Sequence, residues 1–146
     1  MLVARERFIR ELMIAKVQIT ELVNHGDTRG PFFTAPAEAI AFVGQVSDMH
    51  LVSTKPGTAR GNHYHLHRRE ALVVLPGPKW SFHWDDGQDT PSQHREFGGE
   101  CAVLVLISPG SSHAARNDDD GGRDLWLIAI SSGPYDLADT VKRDLT

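Results

Sequence analysis

Among the 146 residues of this chain, His63, His65, Glu70 and His113 are the ones whose types and spacing can do chemistry together. Two residues apart on a strand, His63 and His65 project to one face. Imidazole nitrogen is a ligand for Zn, Fe, Ni, Cu and Mn, and a glutamate oxygen beside it adds negative charge. Three imidazoles and one carboxylate leave one or two positions open on a five- or six-coordinate ion. An open position separates a catalytic centre from a closed structural one. Each residue also has an ordinary use. A His-x-His pair can sit on a solvated strand edge, Glu70 can pair with Arg68 or Arg69, and His113 can belong to a turn.

The stretch GTARGNHYHLHRREALVVLPG, residues 57–77, fills every position of the pattern G-x5-H-x-H-x4-E-x6-G with Gly57, His63, His65, Glu70 and Gly77. It thereby resembles the first motif of the cupins. The segment SPGSSHAARN resembles the second motif in part, through Pro109, Gly110, His113 and Asn117. Ala102 and Ser108 stand where that motif usually has Gly and Pro. The resemblance implies an all-β fold, the cupin double-stranded β-helix or jelly-roll barrel. It also implies one divalent metal ion, with zinc expected first and iron, nickel or manganese as alternatives, on His63, His65, Glu70 and His113.

Arg60-Gly61-Asn62-His63-Tyr64-His65 narrows the resemblance. It is similar to the RGxHxQ segment of dTDP-dehydrorhamnose epimerases and the RGxHAH segment of dTDP-sugar ketoisomerases. It is more similar still to the RGNHYH segment in the zinc-binding C-terminal cupin domain of capsular polysaccharide-assembling reductases. Asp27-Thr28-Arg29-Gly30 resembles the DxRG turn of sugar-nucleotide cupins, and Gly133-Pro134-Tyr135-Asp136 stands where they carry an aromatic-Asp-Pro segment, with Leu137 replacing the proline. The resemblance implies a sugar or nucleotide-sugar isomerase or epimerase of polysaccharide metabolism. Arg60 would hold a phosphate, and Tyr135 would be the acid. Arg60 pairing with Asp27 or Asp48 is an equal alternative. In the metal-free relatives a His at the position of His63 is the base, but a His63 bound to metal cannot also be a free base. The expected chemistry therefore shifts to Lewis-acid polarisation of a carbonyl or activation of water. Tyr64 faces away from His63. Two other readings stay open: a metal-dependent iron dioxygenase, and a non-catalytic carbohydrate-binding or regulatory cupin.

The elements that must position these residues read as strands. Alternating or continuous apolar runs cover Ile14–Val23, Phe32-Phe33, Ile40–Val46, His50–Ser53, His63–His65, Leu72–Leu75 and Trp80–Trp84. Ala102–Ile107 and Leu125–Ile130 are uninterrupted, as for strands buried on both faces. Gly/Pro/Asp turns separate the strands. Only the first dozen residues, with Leu2, Phe8 and Leu12 at helical spacing, read as helix. Met13 can serve as a start, which makes residues 1–12 an extension. His67 is expected at the rim, His83 at the pocket mouth or exposed, and Cys101 as a small buried filler.

Length and composition set the bounds. The chain is expected to be one domain over residues 1–146, with the metal-site core in 57–130. A net charge of -4 gives no basic footprint for nucleic acid. No apolar run approaches the ~20 residues that cross a bilayer. Arg5, Glu6, Arg7 and Arg10 do not resemble a signal peptide, and the single cysteine implies no internal disulfide, so a cytoplasmic location is expected. The substrate is expected to be carbohydrate-like. Cupins of this size commonly pair through a sheet edge, so a homodimer is expected.

Overall fold

The computed structural model describes residues 3–6, 16–87 and 90–146. Residues 3–6 are helical; Leu2, Phe8, Leu12 and Met13 lie outside the described residues. Ten strands follow, with one helix and one 3-10 turn: β1 (Val17–Glu21), α1 (Ala37–Val43), β2 (Asp48–Thr54), β3 (Ala59–His65), β4 (Glu70–Val74), β5 (Trp80–Trp84), β6 (Gln93–Phe97), β7 (Val103–Ile107), β8 (His113–Asn117), β9 (Leu125–Ser131), the turn Leu137–Asp139, and β10 (Thr140–Lys142). They form two antiparallel five-stranded sheets, ordered β1-β7-β4-β9-β2 and β10-β3-β8-β5-β6. This is the cupin jelly-roll barrel.

Alternation along the strands builds the barrel's interior. Leu72 and Val74 of β4, Val103, Val105 and Ile107 of β7, and Leu125, Leu127 and Ala129 of β9 meet Trp80, Phe82 and Ala115 of the opposite sheet. Trp80 stacks on Phe97 with ring centroids 4.4 Å apart. A second apolar layer lies outside the first sheet, where Ala71, Leu104 and Leu106 pack under Ala39 and Val43 of α1. That cover is why β7 is buried at every position.

The expected strand over Ile40–Val46 is instead α1, which begins after Pro36 and ends at Gly44, whose N–H donates to the Ile40 carbonyl. Ala37, Glu38 and Ala39 favour helix, a proline before the first turn fits it, and a glycine at φ 74° terminates it. Phe32-Phe33 is not a strand. Leu125–Ile130 is not buried on both faces: outward-facing Trp126 is 46% exposed beside Met49 at 62% and Leu51 at 63% on the edge strand β2. Cys101 is only half-buried.

One irregularity aims the site. Between Gly61 and His63 the register of β3 on β8 shifts by one residue, from Gly61↔Ala114 to His63↔His113. Gly61 has φ 106° and Asn62 φ 53°, the left-handed values that a bulge demands. The extra residue resets the alternation, so Arg60, opposite Ala115, faces the interior together with His63. A Cβ on Gly61 would lie 2.4 Å from the His113 carbonyl oxygen. Asn62 ties the bulge to the C-terminal tail, its carbonyl accepting from Arg143 N–H and its side-chain oxygen from Leu145 N–H. Gly61→Ala is expected to destabilise the protein by about 2 kcal/mol, measured by urea unfolding. A midpoint equal to wild type would show that the close approach is not strained.

Candidate metal centre

The four expected ligands come from three strands on opposite walls of the barrel. β3 carries His63 and His65, β8 carries His113, and β4 carries Glu70 from the facing sheet. One ligand atom from each residue lies within 4.8 Å of all the others. Glu70 is central: its Oε1 is 3.2 Å from His65 Nε2, and its Oε2 is 3.1 Å from His113 Nε2. The His63 ring lies 4.7 Å from that of His65 and 4.9 Å from that of His113, centroid to centroid. His65, Glu70 and His113 are buried. Glu70 therefore takes neither Arg68 nor Arg69 as a surface partner.

The turns that frame these strands explain the remaining motif positions. Gly57 and Gly77 both have positive φ, at 76° and 141°. Gly110, at φ 86°, donates its N–H to the His65 carbonyl and leads the chain into β8. Asn117 is buried, and its amide donates to the carbonyls of Thr54 and Arg123 while accepting from Asp119 N–H. It holds the far end of the ligand strand. Asp85, fully buried, accepts from Ser112 N–H beside His113 and pairs with Arg143 at 2.9 Å.

The protonation pattern tests whether these residues suit a cation. His113 Nδ1 lies 3.1 Å from the Ser111 carbonyl oxygen, so Nδ1 carries the proton and Nε2 presents a lone pair. That lone pair faces a carboxylate oxygen of Glu70, and two acceptors in contact inside a buried site call for a cation between them. His65 Nε2 is also buried, 3.2 Å from Glu70 Oε1. Bonds of about 2.0–2.2 Å to a common ion would set neighbouring donors about 3 Å apart. The donor set and its spacing fit a borderline divalent metal.

His65 is fixed from behind. Its Nδ1 accepts from Arg68 Nε at 3.2 Å and lies 3.3 Å from Thr140 Oγ1. Arg68 is itself buried, donates to the Pro134 carbonyl, and lies between Asp139 at 3.6 Å and Asp48 at 3.9 Å. His67 is exposed and gives its backbone N–H to Asp139, outside the barrel.

A cavity of about 170 Å³ opens in front of the cluster, walled by His50, Val52, Arg60, Leu72, Leu127 and Ala129 as well as His63, Glu70 and His113. Arg60 faces this cavity and donates Nε to the Ser53 carbonyl. It pairs with neither Asp27, which binds Arg29, nor Asp48, which neighbours His50 and Arg68. Tyr135 is 66% exposed, with its ring edge-on to His50 at 6.1 Å and under the Arg68 guanidinium. It reaches the cavity only through His50. His83 is on the outer face of its sheet against His94, away from the cavity mouth. His50 is the cavity residue that the sequence reading missed; it sits on the inward side of the edge strand β2, with no motif to mark it.

Electrostatics in the cluster are strong. Burial, with the adjacent His113 and His65 rings, pushes the His63 imidazole down to about 4. Burial alone would raise the Glu70 carboxyl, but the adjacent His113 and His65 imidazoles hold it well below the usual carboxylate range. Below an ordinary histidine pKa of 6.5 the unfolded chain takes up a proton on His63 that the folded one refuses. The metal-free protein is therefore expected to lose about 2 kcal/mol as pH falls from 6.5 to about 4, after allowance for solvent screening of a partly exposed ring. Urea titrations across that range should show the loss, flattened in His63→Gln. A parallel slope in that variant would assign the loss to other groups.

Known proteins extend this description. No curated protein matches the sequence. NovW, a 4-keto-6-deoxy sugar epimerase from the novobiocin biosynthetic gene cluster of Streptomyces spheroides, superposes with a TM-score of 0.70 at 21% identity, over 87% of this chain and 68% of its own. A mutant of the 3,4-ketoisomerase QdtA from Thermoanaerobacterium thermosaccharolyticum, solved with TDP-4-keto-6-deoxyglucose, gives a TM-score of 0.63 at 15% identity, over 86% of each chain. The capsular polysaccharide assembling protein CapF from Staphylococcus aureus gives 0.60 at 23% identity, over 85% of this chain but only 34% of CapF. At these identities the likeness is one of fold. Membership rests on the sequence itself: residues 25–140 match the model of the polysaccharide biosynthesis C-terminal domain, and the chain belongs to that family.

Proposed function

We propose that this chain is a metal-dependent isomerase or epimerase of a nucleotide-linked keto sugar. The observation that carries the reading is the convergence of His63, His65, Glu70 and His113 at the floor of a cavity whose wall includes Arg60. The folds of NovW and QdtA, proteins described as acting on keto sugars, support the substrate class. Bound at the four ligands, a divalent ion such as zinc would supply a Lewis acid to polarise the substrate carbonyl.

The chain's own residues do the rest. Arg60 spends Nε on the Ser53 carbonyl, which fixes the guanidinium and leaves its other N–H groups for a substrate phosphate at the cavity wall. Tyr135, edge-on to His50 with an exposed phenol, would be the acid that returns a proton to the sugar. The apolar side chains of Val52, Leu72 and Leu127 exclude water around the reacting carbons.

The test is elemental analysis beside deuterium exchange. Wild type should carry about one divalent ion per chain and move solvent deuterium into TDP-4-keto-6-deoxyglucose next to its carbonyl, as seen by NMR. Glu70→Ala combined with His113→Ala should lose both properties. Unchanged metal content in the double variant would overturn the site. Metal with no exchange, but with oxygen uptake on iron loading, would replace this reading with the dioxygenase.

We also propose that the chain is a homodimer. The edge strand β2 turns Met49 and Leu51 outward beside Trp126, an apolar strip that edge strands ordinarily avoid. Light scattering should give twice the 16.1 kDa chain mass, and Leu51→Glu should give a monomer. A monomeric wild type would overturn the proposal.

A further inference from the structure

Four imidazoles gather at the cavity: His50, His63 and His113 line it, and His65 completes the cluster behind them. Three of them converge on Glu70 and are committed to the proposed ion. An isomerase or epimerase still needs a group that removes the proton beside the substrate carbonyl, and a ligated imidazole has no lone pair left for it. His50 is the imidazole outside the ligand set.

Its surroundings suit that task. His50 is half-buried on β2, opposite Ala129 in the register, and belongs to the cavity wall together with the ligands. Its Nδ1 lies 3.2 Å from Asp48 Oδ2, a buried carboxylate oxygen that has no hydrogen-bond partner. With its ring proton on Nδ1, facing that carboxylate, His50 presents Nε2 as the acceptor. Arg68 Nη1 lies 3.9 Å from the same oxygen and sets a positive charge beside it. Tyr135 meets the ring edge-on from the segment after β9 and limits its rotation. The charged and titratable groups facing His50 are thus Asp48, Arg68 and Tyr135 around the ring, with Arg60 and the ligand cluster across the cavity.

We infer that His50 is the general base of the proposed reaction, with Asp48 as its positioning residue. The C–H bond beside the carbonyl breaks; its proton goes to His50 Nε2, and its electron pair forms the C=C bond of an enolate as the carbonyl oxygen takes the negative charge. Return of a proton to the same carbon from the other face epimerises the sugar, and return to the neighbouring carbon moves the ketone. No oxidant or reductant is consumed.

The inference rests on the isomerase reading, and one experiment separates the two. Zinc-loaded wild type, His50→Gln and Asp48→Asn are incubated with TDP-4-keto-6-deoxyglucose in D₂O, and metal content is measured on each sample. His50→Gln is expected to keep its metal and its KM while exchange falls about 100-fold or more. Asp48→Asn is expected to lower kcat about 10-fold at unchanged KM, a split that a loss of folding or of metal would not produce. Exchange at the wild-type rate in His50→Gln overturns the inference and leaves the isomerase reading standing. Should His50→Gln not fold, an unchanged kcat in Asp48→Asn overturns it instead. A metal-loaded wild type that exchanges nothing overturns the isomerase reading and this inference with it.

Discussion

The bulge at Gly61 and Asn62 is the constraint on which the site depends. A regular strand would put Arg60 and His63 on opposite faces. The inserted residue turns both inward, and it also brings the β3 backbone against His113, the ligand on the neighbouring strand. Because Asn62 is also bonded to the tail after β10, the conformation that aims His63 is held from both sides. A left-handed non-glycine residue is costly in isolation and persists where the surrounding structure over-determines it. Here the reward is a cavity with a cationic side chain and a ligand on the same wall.

Arg68 plays the corresponding part behind the ligands. A buried guanidinium costs several kcal/mol of desolvation unless charge and hydrogen bonds surround it. Arg68 has Asp48 on one side, Asp139 on the other, and the Pro134 carbonyl and His65 Nδ1 as acceptors. Each of the two carboxylates also faces the Nδ1 of a histidine: His50 at 3.2 Å and His65 at 3.7 Å. One cation therefore organises two carboxylate–imidazole pairs, one on a proposed ligand and one on a free ring. Oδ2 of Asp48 and of Asp139 are both buried without hydrogen-bond partners. Such unsatisfied groups are concentrated where a site is tuned for chemistry rather than for stability.

Much of the barrel was legible because its strands are either alternating or wholly apolar. β5 appears over the residues the alternation of Trp80, Phe82 and Trp84 marks, and β7 is as buried as its composition implies. α1 was misread because Ile40, Phe42 and Val43 resemble a strand fragment, although Ala37-Glu38-Ala39 between Pro36 and Gly44 carries the helix signals. β6, with Gln93, His94, Arg95 and Glu96 all exposed on a sheet edge, has no apolar pattern to reveal it. The convergence of His63, His65, Glu70 and His113 was readable because motif spacing survives in sequence. The partners of Arg60 were not, since a backbone carbonyl seven residues away leaves no trace in residue type.

The missed histidine shows where such reading stops. His63, His65 and His113 are marked by fixed offsets, which strand parity and the Pro109-Gly110 turn can explain. His50 shares none of these offsets; it reaches the cavity because β2 pairs with β9 and so closes the wall beside β4. Its carboxylate partner is two residues away on the same strand, a spacing common on solvated edges. Only when the Asp48 Oδ2 atom is seen buried near Arg68 does the pair differ from a surface salt bridge, whose contribution would be small and screened. Burial changes its consequence, because a desolvated carboxylate fixes the orientation of the ring beside it. The same residues would carry no functional weight if β2 were rotated outward by one position, which would place His50 and Asp48 in solvent and Met49 and Leu51 in the cavity.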